Sequence, residues 1–399
     1  MQPQVFLGID VGKTEHHATA VDHDGQVVHD KPLPQSEPKI QELLTALAAK
    51  HEQLLVVVDQ PKTIGALVIA VAQQLGIAVA YLPGLTMRRV ADLHPGQAKT
   101  DARDAYIIAD TARTMPHTLR GITIADEHIA ELSMLCGFDD DLTAQLTGVR
   151  NRLRGLLTQI HPALERVVGP RLAHPAVVDM LSRYPTPAAL HEAGRSRVRT
   201  RLKKLAPRMA ARLADEIFAA LAEQTTIVAG TNTAGHIISR LAAQLAQLTE
   251  QRADIEAEIL TVVDAHPLTE VLTSMPGIGV RTAARILTEV VGKNFKSAAH
   301  LASYAGIAPV TRRSGTSIRG EAPSRRGNKT LKRALFLSAF ASIKADPLSR
   351  AYYDRKRAEG KRHNQAIIAL ARRRTDVLYA MLRDGTLYEP RPTQQAPAA

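Results

Sequence analysis

"VFLGIDVGKTEHHATAVDHDGQVVHDKPL", residues 5–33, decides how this chain begins to fold. Its first segment, "VFLGIDVG", is an apolar run stopped by glycine and reads as a strand. "HHATAVD" and "VVHDKPL" read as two further strands, with "HDG" as the turn between them. Three consecutive strands predict an antiparallel meander. Asp10 stands at the end of the first. An acid there is costly unless it lies at an exposed edge or binds something. Val11 and Gly12 form a small-residue turn beside it. His16 and His17 are adjacent, so on a strand they face opposite sides and cannot share one ligand.

Outward from this meander, "EPKIQELLTALAAKH" has helical periodicity. "QLLVVVDQP" is a buried strand stopped by Pro61, with Asp59 at its end. "IGALVIAVAQQLG" is a helix closed by Gly76, and "IAVAYLPG" is another short strand. The order β-β-β-α-β-α-β-α predicts an α/β domain over residues 1–125 with a mixed sheet, an order typical of ribonuclease H-like folds. Then comes "KTDARDAYIIADTAR", residues 99–113. Asp101 as helix cap with Asp104 at N3 is one reading of it. The other is chemistry, because residues three apart share a helix face. A turn accounts for Asp10, a turn before Pro61 for Asp59, and capping for the pair. Clustered together, however, four carboxylates repel and call for a divalent cation. Mg²⁺ suits oxygen ligands, and a pair of such ions can clamp the attacking and leaving oxygens of a phosphoryl transfer.

From about residue 126 the pattern becomes helical. Leu132, Leu135, Asp139, Leu142, Leu146, Val149, Leu153, Leu156 and Ile160 recur at spacings of three and four. A second seam runs Ile238, Leu241, Leu245, Leu248, Arg252, Ile255, Ile259, Val262. Each is a heptad seam with one charged intruder. They predict a coiled-coil helical arm over 126–265, interrupted by a helical insertion at about 166–235. The seams serve two long helices of one chain, a dimer, or both. Within the insertion, "RSRVRTRLKK" reads as a solvated basic face or as a polyanion contact. Residues 266–388 form a third, mainly helical and basic unit, and 389–399 a disordered tail.

Two constellations lie in the third unit. In "MPGIGVRTAARILTEV", Gly277 and Gly279 open a helix. Such a turn is either a plain connection or a helix-hairpin-helix-like phosphate seat built from backbone N–H groups. From Thr311 to Arg333 there are eight Arg or Lys, namely Arg312, Arg313, Arg319, Arg325, Arg326, Lys329, Lys332 and Arg333, against one acid, Glu321. The stretch reads as a basic, glycine-punctuated loop. It is either solvated or a seat for a scissile phosphate, with Ser314 between Arg313 and Gly315.

The formal net charge of +12 over 399 residues suits a polyanion partner. No apolar run approaches a membrane span, and no basic leader precedes an apolar stretch, which predicts a cytoplasmic protein without a membrane partner. The single cysteine, Cys136, excludes a disulfide framework and a cysteine zinc site, and reads as a buried helical residue. With 4% aromatics and no tryptophan, base-stacking platforms are not advertised.

Together, "GIDVGKTEHHATAVD", "VVVDQP", "YLPG", "PGQAKTDARDAYIIADTAR", "MPGIG", "YAGIAPVTRRSG" and "RGNKTLKRALFLSAF" resemble the insertion-sequence transposases of the IS-one-ten (IS110) family, which includes related pilin-gene invertases. The resemblance covers nearly the whole chain. It implies a RuvC-like domain with a DEDD tetrad on Asp10, Asp59, Asp101 and Asp104. The second acid is commonly Glu, and here it is the shorter Asp59. It implies a coiled-coil segment and a transposase domain whose nucleophilic serine falls on Ser314, with Ser317 as second choice. The cofactor implied is Mg²⁺, for which Mn²⁺ can stand in. The partners implied are donor and target DNA, a noncoding bridge RNA that pairs with both, and further copies of the chain through the coiled coil. The location implied is a bacterial nucleoid. Two other readings compete. One is a metal-dependent nuclease of the Holliday-junction resolvase type with no covalent intermediate, and the other a non-catalytic nucleic-acid-binding scaffold.

Overall fold

The structure is a computed structural model. It describes residues 3–390 except 52, 62, 95–99, 123–126, 315–317 and 325, and the side chains of 127, 311–314 and 318–323. The chain divides into two compact units. One comprises Met1–Asp126 with Val290–Asn294, the other Glu127–Glu289 with Phe295–Ala399.

The first unit is built on β1 (Val5–Asp10), β2 (Glu15–Asp22), β3 (Val27–Pro34), α1 (Glu37–Lys50), β4 (Leu54–Val58), α2 (Ala66–Gln74), β5 (Ala78–Tyr81), α3 (Gly84–Ala91), α4 (Asp101–Thr114) and β6 (Arg120–Gly121). Its mixed sheet has the order β3-β2-β1-β4-β5-β6. The meander β1–β2–β3 is antiparallel, β4 and β5 run parallel to β1, and β6 is antiparallel to β5. The β2–β3 turn needs Gly25, whose φ is +88°. The sequence pattern anticipates this order up to β5. Helix α3 and the two-residue β6 are additions; β6 is too short to show a period.

The second unit holds α5 (Glu127–Ile160), α6 (Pro162–Val168), α7 (Pro175–Arg183), α8 (Pro187–Leu205), α9 (Ala210–Glu223), α10 (Thr231–Asp264), α11 (Leu268–Ser274), α12 (Val280–Val290), α13 (Ala298–Tyr304), β7 (Pro309–Ser314), β8 (Ile318–Pro323), α14 (Lys329–Ala345), α15 (Pro347–Ala358) and α16 (His363–Asp384). Helices α5 and α10, each 34 residues, pack antiparallel within the chain. In the first half of α5 Asp139 meets Arg252 in the second half of α10, and at the end of α5 Ile160 O accepts from Nε2 of Gln224, a residue between α9 and α10. One core joins Leu142, Leu146, Val149 and Leu153 with Ile238, Leu241, Leu245 and Leu248, and extends into α7–α9. Leu157 is fully buried and Leu156 only partly so. The seam thus shifts by one residue at its end. A straight helix of 3.6 residues per turn drifts against a strict heptad.

The charged intruders of the two seams are partners. Arg252 Nε donates to Asp139 Oδ1 at 2.8 Å, and Arg285 of α12 donates to Asp139 Oδ2 at 2.9 Å. Burial works against the Asp139 carboxylate, yet the two guanidinium groups outweigh it and hold it below the usual carboxylate range. Cys136 is buried in α5, and burial pushes its thiol up to about 11. The stretch expected as a basic loop is, in its first half, the antiparallel hairpin β7–β8, with Ser314 opposite Ile318. Its many charges hid a strand period from the sequence pattern.

Candidate active site

The sheet alternates between two layers. Val5, Leu7, Ile9, Val56 and Val58 pack with Ile40, Leu44 and Val68 of α1 and α2. Phe6 and Val57 pack on the opposite face with Ile108 and Ala112 of α4. Side chains alternate along a strand, so Asp10, two residues after Gly8, belongs to the α4 face. Asp59 follows Val57 by the same step. Ile9 lies beside Val58 in the parallel register. Asp10 and Asp59 therefore occupy neighbouring positions at the ends of adjacent strands.

Helix α4 crosses that face closely. A Cβ at Gly8 would collide with Ala105 O and Ala109 N, so only glycine admits the helix there. The far end of α4 fixes its direction. The Arg113 guanidinium lies against Gly25 in the β2–β3 turn, and that turn is level with the start of β1, where Asp22 pairs with Val5. The first turn of α4 therefore lies toward the end of β1, where Asp10 stands. Thr100, rather than Asp101, is the cap. Its Oγ1 accepts from Arg103 N at 3.2 Å, and its carbonyl accepts from Asp104 N at 3.0 Å. Asp101 is exposed at the first helical position, and Asp104 is half-buried one turn on. Thr beats Asp here because it precedes the turn in an extended conformation. Both acids still benefit from the helix dipole, and neither carboxylate is used by the cap.

Asp59 Oδ1 is buried and has no hydrogen-bond partner. Burial pushes the Asp59 carboxyl above its ordinary range, and backbone groups at Val11 and Gln60 offset only part of this. A buried acceptor without a donor costs about 1–3 kcal/mol. A cation would relieve it, and this orphaned oxygen is the structure's fit to a divalent ion. Among the described residues, no three His, Cys, Asp or Glu side chains stand close enough to hold an ion between them. The four acids share one end and one face of the sheet without closing on a common point.

Sequence reasoning missed His16 as a support for this end. Its Nδ1 accepts from Gly12 N at 3.1 Å, pinning the turn after Asp10. The ring is buried, which lowers its pKa. His17 faces the other way and bonds Asp30 at 2.8 Å. Parity with the buried Ala18 and Ala20 was the available signal.

In the second unit, Ser317 and Arg325 lie outside the described residues, as do the side chains of Ser314, Arg312, Arg313 and Arg319. Arg326 and Lys329 are exposed. Lys332 is half-buried, and its ammonium donates to Gly306 O and Ser324 O at 3.0 and 3.1 Å, so it serves the fold. Arg333 is exposed, 4.0 Å from Asp140. Gly277 has φ +84°, and a Cβ there would strike the backbone of Ser338 and Ser342 in α14. Packing therefore explains Gly277, and Arg374, buried with its pKa lowered by burial to about 10, donates to Pro276 O in the same turn. Gly279 is exposed with open space around it.

In α8 the cations divide into two kinds. Arg195 pairs with Asp215 and Arg201 with Asp179. Arg197, Arg199, Lys203 and Lys204 are exposed and have no ion-pair partner among the described residues. Buried Val198 and Leu202 hold the opposite face. No helix among the described residues is long and apolar enough to cross a membrane.

Comparison with known proteins gives the class, a transposase. A family model described as a transposase, the DEDD type of IS110, matches residues 7–162. A second, described as transposase of the IS116/IS110/IS902 family, matches residues 269–354. The chain is 59% identical over 388 residues to the insertion element IS110 uncharacterized 43.6 kDa protein of Streptomyces coelicolor, covering 97% of this chain and 96% of that one. It is 37% identical over 123 residues to the pilin gene-inverting protein of Moraxella bovis, covering 30% of this chain and 38% of that one. A solved structure, T. thermophilus RuvC in complex with Holliday junction substrate, aligns with 30% of this chain and 99% of its own at 15% identity and a TM-score of 0.24, too low to bear on the fold. The chain belongs to the IS110 family of insertion-element transposases.

Proposed function

We propose that this transposase cuts and exchanges DNA strands with a RuvC-like acidic tetrad and a serine nucleophile, guided by a noncoding bridge RNA. The observation that supports the reading most is the shared end of β1 and β4. Asp10 and Asp59 are neighbours there, the first turn of α4 lies toward them, and Asp59 Oδ1 has no partner. Asp10, Asp59, Asp101 and Asp104 would hold Mg²⁺, or Mn²⁺ in its place. When bound, the ion neutralises charge on the phosphate oxygens. Ser314 Oγ attacks the scissile phosphorus. The Oγ–P bond forms, the P–O3′ bond breaks, the serine proton leaves to solvent, and the 3′ oxygen takes up a proton. Reversal by the 3′ hydroxyl of a partner strand releases the serine and joins the strands without net loss of phosphodiester bonds.

Arg326, Lys329 and the four unpaired cations of α8 would contact phosphates, binding backbone while base pairing reads sequence. Oligomers through the exposed sides of the α5–α10 arm would bring copies together. The test is direct. Wild-type protein incubated with Mg²⁺, the element's noncoding RNA and DNA carrying the element's ends yields an adduct that survives denaturation, and Ser314→Ala yields none. An adduct with Ser314→Ala would sink the serine assignment. Cleavage by wild type with no adduct at any time would favour the water-using nuclease instead.

A further inference from the structure

Both feet of the β7–β8 hairpin meet in one polar knot. Glu289 of α12 is 7% exposed. Its Oε2 accepts from Asn328 Nδ2 at 2.6 Å and from Tyr304 Oη at 3.2 Å. Asn328 N donates to Tyr304 O at 2.7 Å, which ties the residue before α14 to the end of α13. Asn328 Oδ1 accepts from Leu331 N at 2.8 Å and so caps α14. One turn on, Lys332 Nζ bridges Gly306 O, on the foot entering β7, and Ser324 O, on the foot leaving β8. Gly306 and Gly327 have φ of +69° and +102°, and a Cβ at Gly327 would strike Gly306. The two feet are thus pressed together at glycines and locked by one buried carboxylate, one amide and one ammonium.

We propose that Glu289 is a positioning residue for strand cleavage. Acting through Asn328 and Tyr304, it sets the direction in which the hairpin presents Ser314. The proposal rests on the serine reading above. Its physical basis is leverage. A six-residue strand extends about 20 Å, so a tilt of about 5° at its foot moves its end by roughly 2 Å. A 1 Å misplacement of a reacting group can cost about a hundredfold in rate. The polar lock joins both feet and is placed to resist such a tilt.

Asn328→Asp in the full chain isolates the lock. Asp is as good a helix cap as Asn, so α14 keeps its start. The amide donor is lost, and a second carboxylate now faces Glu289. The single-turnover rate of adduct formation at saturating DNA should fall at least about tenfold, with the half-saturating DNA concentration unchanged. The double variant Glu289→Gln, Asn328→Asp reverses donor and acceptor and should restore most of the rate. Should Asn328→Asp melt below the assay temperature, Tyr304→Phe, which deletes one hydroxyl, carries the same test with a smaller expected loss. An unchanged rate, a loss seen only as weaker DNA binding, or a double variant no faster than Asn328→Asp would overturn the proposal. Ser314→Ala assayed alongside separates the two readings. An adduct there removes the serine, whereas its absence there with full rate in Asn328→Asp removes only the positioning role.

Discussion

Asp59 in the sheet unit and Asp139 in the helical unit are buried in opposite ways. In the helical unit the buried acids are matched. Asp139 has two arginines, and Glu289 has an amide and a phenol. In the sheet unit Asp59 is buried to one oxygen with nothing to meet it. Matched charge serves architecture, because the pair or network offsets its own desolvation. Unmatched charge near a surface marks where an external counter-charge belongs. Within the helical unit, α8 carries both paired and exposed, unpaired cations among the described residues.

The largest effect should come from breaking the unmatched set. Asp104→Ala should lower strand cleavage by on the order of 10²–10³, with the melting temperature nearly unchanged. Cleavage assays and thermal melts of the same preparation check it. A variant that merely melts would return Asp104 to a structural role. The matched set should respond the other way. Asp139→Ala leaves Arg252 and Arg285 facing a buried void and should cost about 3 kcal/mol of stability, read by denaturant unfolding.

A smaller effect sharpens the comparison within α8. Replacing Arg197, Arg199, Lys203 and Lys204 by Gln should leave stability unchanged and reduce the slope of log affinity for nucleic acid against log salt by about 2–4. An unchanged slope would show these cations to be a solvated face. The smallest effect concerns Asp59. Burial raises its folded pKa, so the folded chain binds a proton there more readily than the unfolded one. The ionised group therefore weakens the fold at neutral pH, and this penalty fades as pH falls through the raised pKa towards the ordinary carboxyl range. Asp59→Asn should melt slightly higher than wild type in EDTA at pH 7. Wild type should gain stability when Mg²⁺ is added, and the variant should not. Equal gains in both would detach Asp59 from the ion.

Much of the sheet unit was readable because its strands are apolar and its turns carry glycine. The period of "VFLGID" and "LLVVV" even contains the shared face of Asp10 and Asp59, once β1 and β4 are known to be parallel neighbours. The cap was misread, since Thr100 and Asp101 are both good caps and only the backbone distinguishes them. Gly277 looked like an opening for phosphate, but the need for it comes from α14, some sixty residues further along. The seam intruders Asp139 and Arg252 were visible as exceptions. Their being each other's exception was not, because 113 residues separate them.

The sequence by itself determined the order of strands and helices up to β5, the two seams and the family. These follow from local periodicity and from side-chain type. Only the tertiary structure decided which face each acid occupies, which way α4 runs, which charges are matched and which oxygen is left without a partner. Those depend on register and on contacts between residues far apart in the chain, and no local pattern records them.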